Sequence, residues 1–242
     1  MMALIDAKNL KKTFGSITAV NNISLSLDVG EVVGFLGPNG AGKSTTMKML
    51  TGFLDPDVGT VDINNINLMD NPIKAKSLIG YLPEGAPAYS DMTVYSFLNF
   101  IGLMRGLKDK KLFQRLDEMA KTINLSEVWN QPIETLSKGY KRRVGIAQAL
   151  IHDPQILILD EPTDGLDPNQ KHEMRKLIKS ISSNKGIIIS THILEEVEAV
   201  CTRAAIISKG KLLFNDTPKK LKESGDGNLD DIFRTITMGS SS

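Results

Sequence analysis

A short apolar run, Val32-Val33-Gly34-Phe35-Leu36, leads directly into Gly37-Pro38-Asn39-Gly40-Ala41-Gly42-Lys43-Ser44 and then into the helical stretch Ser44 to Thr51. Strand, glycine-rich loop and helix in that order demand an α/β architecture, and the loop matches the full phosphate-binding pattern in the context that pattern requires. Glycines let the backbone approach closely, and successive N–H groups at a helix N-terminus point at anionic oxygens. Lys43 adds positive charge at the β and γ phosphates, and Ser44 offers a hydroxyl to Mg²⁺. Gly37, Pro38, Asn39, Gly40, Ala41, Gly42, Lys43, Ser44 and Thr45 are the candidate phosphate-binding residues.

Two more short runs, Ile156-Leu157-Ile158-Leu159 and Ile187-Ile188-Ile189, are apolar without alternation, as strands buried on both faces should be. With Val32 to Leu36 they define a mainly parallel sheet. Leu4 to Leu10 and Ile23 to Val29 alternate instead, and predict an antiparallel β region near the N-terminus, with a turn at Asp28 to Glu31. Thr93 to Arg105, Lys108 to Asn124 and Lys138 to His152 carry helical periodicity. Asn71-Pro72, Asp167-Pro168 and Thr217-Pro218 each place a capping side chain before a proline at the first helical position. The expected organisation is one unit over 1–238, with a core lobe at 1–83 and 154–238 and a helical lobe at 84–153. Leu229 to Ile236 reads as a short helix, and 239–242 as a flexible tail.

With 242 residues, 41% hydrophobic and 24% charged, the chain can bury a sizeable core. Twenty-nine Lys+Arg against 28 Asp+Glu give a net charge of +1, so no whole-chain electrostatic footprint for nucleic acid exists. The single cysteine, Cys201, reads as a small buried apolar residue, and a reducing cytosol fits. The N-terminus lacks a signal-peptide core, and Val94 to Met104, the greasiest segment, falls far short of the ~20 residues of a membrane span.

The run Ile156 to Leu159 ends in Asp160-Glu161, placing two carboxylates at the C-terminal edge of a buried strand, where ligands gather in open parallel sheets. Asp160 is placed to hold Mg²⁺, and Glu161 to orient or deprotonate a water attacking the γ-phosphate.

In these residues the chain resembles the nucleotide-binding subunit of ABC transporters over nearly its whole length. Beyond the Walker A loop and Walker B strand, Leu136-Ser137-Lys138-Gly139-Tyr140 resembles the ABC signature, Gly165-Leu166-Asp167 the D-loop, and Ser190-Thr191-His192 the segment with the switch histidine. The resemblance implies an ATP-hydrolysing subunit in which His192 contacts the γ-phosphate from the side of Lys43. Ser137 and Gly139 would meet the γ-phosphate held by a second, head-to-tail subunit, and Asp167 would cross that interface. Ser137 and Asp167 also suit plain N-caps. Phe14 falls where the family stacks an aromatic on adenine, with Val20 able to cover the same base if Phe14 packs elsewhere.

Two departures stand out. The signature usually reads Leu-Ser-Gly-Gly-Gln, whereas Lys138 and Tyr140 replace a glycine and the glutamine; Ser137 and Gly139 remain, so function should survive. Glu84, in Gly80-Tyr81-Leu82-Pro83-Glu84, stands where the family usually has glutamine. A carboxylate there can still coordinate Mg²⁺ while adding negative charge and a titratable group.

These two segments look most like exporter ATPases that work with a separate permease, including the gliding-motility and multidrug types. The resemblance implies ATP and Mg²⁺ as cofactors, pairing with itself or a similar ATPase, an integral membrane permease as partner, and a place on the inner face of the cell membrane. Ala88 to Tyr95 would form the surface receiving a cytoplasmic helix of that permease, although core packing explains Val94, Phe97 and Phe100 equally well. The rival client, a ribosome or nucleic acid, usually demands two nucleotide domains or long coiled-coil insertions, so no nucleic acid is expected.

Overall fold

Two sheets hold the strands of the computed structural model, which describes residues 3–225 and 228–239. A long antiparallel hairpin, β1 (Ile5–Phe14) and β2 (Ile17–Leu27), turns at Gly15 and Ser16. Both strands run past the alternating segments that predicted them. Asn9 and Asn22 adopt left-handed backbones, with φ 51° and 61°, and shift the pairing register, so the period-two pattern breaks although the strands continue. After β3 (Val32–Leu36) and α1 (Lys43–Leu50), β4 (Val58–Ile63) and β5 (Ile66–Asn67) complete the four-stranded sheet in the order β2-β1-β4-β5. Asn64 and Asn65, at φ 48° and 60°, make the two-residue turn between them, with the backbone twist such hairpins favour.

Next come α2 (Pro72–Ser77) and β6 (Ile79–Leu82), then three helices, α3 (Val94–Met104), α4 (Asp109–Thr122) and α5 (Lys138–Leu150). The chain continues through β7 (Ile156–Asp160), α6 (Pro168–Ile181), β8 (Gly186–Thr191) and α7 (Leu194–Val200). The strands β9 (Arg203–Ser208) and β10 (Lys211–Asp216) and the helices α8 (Pro218–Glu223) and α9 (Leu229–Met238) follow. Part of the tail expected at 239–242, residues 240–242, lies outside the described residues.

The second sheet has six strands in the order β10-β9-β3-β8-β7-β6, all parallel except the edge strand β10. Its central strands lack alternation because both faces are covered. Leu157, Leu159, Ile187 and Ile189 pack with the residues of α3, α4 and α5, whereas Ile156, Ile158 and Ile188 join Val33, Phe35 and the β1-β2 hairpin on the other side. The expected α/β fold, with a mainly parallel sheet, an antiparallel N-terminal sheet and intervening helices, is the observed one.

Register positions the site. Leu36 lies opposite Thr191, Asp160 opposite Ser190 and Leu82 opposite Leu159, so the C-terminal ends of four parallel strands finish along one edge. The start of β3 is fixed by charge: Arg203 of β9 grips Glu31 through Nε at 2.6 Å and Nη2 at 2.9 Å. Asp167 and Thr217 cap their helices, accepting from the N–H groups of Gln170 and Lys220, but the Asn71 side chain makes no such bond. A Cβ on Gly34 would lie 2.8 Å from the Cys201 sulfur, and burial pushes that thiol's pKa up to about 12.

His152, just past α5, directs Nε2 at the Ile79 carbonyl at 3.1 Å, and its buried Nδ1 has no partner. Burial, reinforced by the charge of Arg105, lowers its pKa from 6.5 to about 4. The folded chain therefore keeps His152 neutral, with Nε2 donating, at pH values where the unfolded chain protonates it. Its stabilisation is complete above pH 6.5 and is lost as pH falls toward about 4, by up to about 3 kcal/mol. Urea denaturation at pH 7 and pH 4.5 should show a smaller acid loss for His152→Gln than for the wild type.

Candidate nucleotide site

The loop between β3 and α1 wraps around Lys43. This side chain is only 6% exposed, and its Nζ donates to the carbonyls of Gly37 at 2.7 Å and Pro38 at 3.2 Å. Burial lowers the lysine's pKa, while the charges of Glu161, Asp160 and Glu84 oppose that shift. Two glycines are required by close approach. A Cβ on Gly37 would come within 2.4 Å of the Ile207 carbonyl, and one on Gly42, at φ 105°, within 2.3 Å of the Ala19 carbonyl. Thr46 ties the helix start to the loop, its hydroxyl donating to the Gly42 carbonyl at 2.9 Å.

The end of β7 supplies the acids. Asp160 is buried and accepts the hydroxyl of Ser190 from the neighbouring strand. The same Ser190 accepts the N–H of Glu161 at 2.9 Å, which holds Glu161 at φ 47°, a left-handed backbone unusual for a non-glycine residue. Glu161 projects toward His192, with Oε1 3.5 Å from Nδ1. Ser190 therefore seats one carboxylate deep and turns the next outward.

A cleft of about 610 Å³ joins these groups. Among the candidate residues, Phe14, Asn39, Gly40, Gly42, Lys43, Ser44, Thr45, Glu84, Glu161 and His192 line it. Gly37, Pro38 and Ala41 complete the loop without lining the cleft, and Asp160 lies beneath. Phe14 is half exposed at the end of β1, with Lys12 Nζ 5.9 Å from its ring centroid. Val20 is corrected: it is fully buried in the core beneath β2, and its neighbour Ala19 lines the cleft. Strand alternation makes the swap inevitable, since adjacent residues face opposite sides. Asp164 also lines the cleft, a residue the motif reading did not single out as a ligand. Ser44, Asp160 and Glu84 offer a hydroxyl and two carboxylates, hard oxygen donors that suit Mg²⁺ shared with phosphates.

Ser137, Gly139 and Asp167 are not brought to this cleft. Ser137 is exposed and caps α5, its Oγ accepting from the Tyr140 N–H at 3.4 Å. With Gly139 it lines a separate concavity that includes Glu127, Arg143 and Gln170. Asp167 caps α6 through the Gln170 N–H at 2.9 Å, and the Gln170 side chain packs on Gly139, where a Cβ would meet it at 2.9 Å. The two signature departures find intrachain partners: Lys138 pairs with Asp164 at 3.3 Å, and the Tyr140 hydroxyl donates to Glu127 at 3.2 Å.

The profile of the family described as "ABC transporter" matches residues 20–164, from β2 through the acids that follow β7. The chain belongs to the ABC transporter family. The linearmycin resistance ATP-binding protein LnrL of Bacillus subtilis is 38% identical over 90% of this chain and 70% of its own length. The Nod factor export ATP-binding protein I of Burkholderia lata is 36% identical over 93% of this chain and 75% of its own. A solved structure of an ATP-binding subunit of an ABC transporter superposes with a TM-score of 0.87 at 28% identity, covering 96% of this chain and 99% of that one. The protein is thus an ABC ATPase, the ATP-binding and ATP-hydrolysing subunit of a transporter. Among the described residues no helix is long and apolar enough to cross a membrane.

Gly42→Ala should displace the loop, because the added methyl meets backbone rather than a flexible side chain. Titration with a fluorescent ATP analogue should show affinity at least about tenfold weaker than wild type.

Proposed function

We propose that this ABC ATPase drives a separate membrane permease, on the inner face of the cell membrane, by closing and opening head-to-tail around two Mg·ATP. The observation that carries the reading is the split of the site. Lys43, Ser44, Glu161 and His192 share one cleft, while Ser137 and Gly139 present a helix N-terminus in a separate concavity. A helix start with an exposed hydroxyl and free N–H groups suits an anion, and a second copy turned head-to-tail would supply the γ-phosphate.

In this reading Lys43 and the loop amides hold the phosphates, Phe14 stacks on the base, and Asp167 meets the partner. Glu161 takes the proton of the attacking water, and His192 orients the γ-phosphate beside it. Mg²⁺, held by Ser44, Asp160 and Glu84, would neutralise charge developing on the phosphates. Phosphoryl transfer is accelerated chiefly by positioning and charge, and the cleft offers both. Residues 84–153 form the helical lobe, hinged at Glu84 to a core lobe of 1–83 and 154–238.

The permease would dock on an apolar groove lined by Pro87, Ala88, Tyr89, Phe97, Phe100 and Ile101, where the Tyr89 ring lies edge-on to Phe97 and Phe100 at 6.1 and 5.8 Å. Tyr89 is 56% exposed there and continues the apolar lining to the surface. An export direction is supported by relatives named for resistance and export.

Glu161→Gln should retain ATP affinity, lose phosphate release by more than about a hundredfold, and elute as an ATP-dependent dimer in size exclusion. Retained turnover would remove Glu161 as the base. Lys43→Ala and Ser137→Arg should each be inactive alone, yet an equimolar mixture should recover activity, because one of the two shared sites is then intact. No recovery from two folded partners, with Ser137→Arg still binding nucleotide, would exclude the head-to-tail arrangement.

A further inference from the structure

Behind the cleft lies a carboxylate that does not reach it. Glu196, in the first turn of α7, is 4% exposed. Its Oε2 accepts the hydroxyl of Thr191 at 2.7 Å, and its Oε1 accepts the hydroxyl of Thr163. Thr191 immediately precedes His192, and its Oγ1 also accepts the N–H of Ile193 at 3.1 Å. Thr163 lies two residues beyond Glu161, inside a turn closed by the Asp164 N–H donating to the Glu161 carbonyl at 3.2 Å. One side chain thus grips the segment that carries each member of the Glu161–His192 pair, from the side away from the cleft.

We propose that Glu196 is a positioning residue for ATP hydrolysis, fixing the separation of Glu161 and His192 by holding Thr163 and Thr191 together. A carboxylate suits the task because it only accepts hydrogen bonds, so both hydroxyls point inward and Thr191 keeps a lone pair for Ile193. Burying a charge is costly, and both of its oxygens are engaged. Arg175 of α6 lines the same small cavity and places a cation on that side. The Ser190 hydroxyl holds the Asp160 carboxylate and the Glu161 N–H, whereas Glu196 links the residues that follow Glu161 to the residue that precedes His192. This inference rests on the proposed roles of Glu161 and His192.

The test is steady-state phosphate release with Mg·ATP by purified full-length protein, beside fluorescent-nucleotide affinity and thermal melting. Glu196→Ala should lower kcat by at least about tenfold while nucleotide affinity stays within about twofold. Adding Thr163→Val to Glu196→Ala should cost less than about a further twofold, since the shared bond is already gone. Where Glu196→Ala does not fold, Thr163→Val and Thr191→Val carry the test, each lowering kcat at least about threefold with affinity preserved. Wild-type kcat in the folded variants, a parallel loss of affinity, or a fully additive Thr163→Val effect would overturn the inference. Glu161→Gln is measured alongside: if it keeps turnover, the reading of the base fails, whereas if it loses turnover and folded Glu196→Ala does not, the positioning role alone fails.

Discussion

Parallel pairing of β3, β8 and β7 is the constraint on which the rest depends. Because Leu36 sits opposite Thr191 and Asp160 opposite Ser190, the loop after β3, the acids after β7 and the histidine after β8 emerge at one level. A slip of one residue in either pairing would turn every side chain of the slipped strand to the other face and move its C-terminal end relative to its neighbours. Strand register thus sets the geometry of the polar groups at the strand ends.

Within that frame, hydroxyl groups make the fine adjustments. Ser190 joins the buried Asp160 to the Glu161 amide, and Thr46 closes the helix onto the loop. The left-handed Glu161 would relax if its amide lost those acceptors, so the strain is sustained by neighbours on another strand. The acids at the strand edge and the loop before α1 are thus seated by small hydroxyl side chains.

Much of this was legible beforehand, for identifiable reasons. The non-alternating runs at 156–159 and 187–189 and the loop at 37–44 carry strong local signals, and the structure places them side by side. Strands β4, β5, β6, β9 and β10 are not among the segments read as strands: Gly59 interrupts β4, β5 has two residues, Gly80 interrupts the four residues of β6, and Ala204-Ala205 dilutes the apolar signal of β9. The Lys209-Gly210 turn, both residues at positive φ, was a hairpin signal available in the sequence. The cleft lining includes Lys43, Ser44, Glu84, Glu161 and His192 but has Ala19 in place of Val20, since a motif gives position along the chain and not the face of a strand. Asp164 and Glu196 stand out only in three dimensions, since Asp164 pairs with Lys138, 26 positions away, and Glu196 joins Thr191 to Thr163, 33 positions away.

The contact between Gly139 and Gln170 changes how variants near the signature can be read. A side chain at residue 139 first meets the amide end of Gln170, which belongs to the opening turn of α6 that Asp167 caps and which must swing aside. Lost activity in such a variant therefore confounds a missing anion contact with a displaced Gln170 side chain. Ser137, exposed and capping its own helix, is the cleaner genetic probe of the same surface.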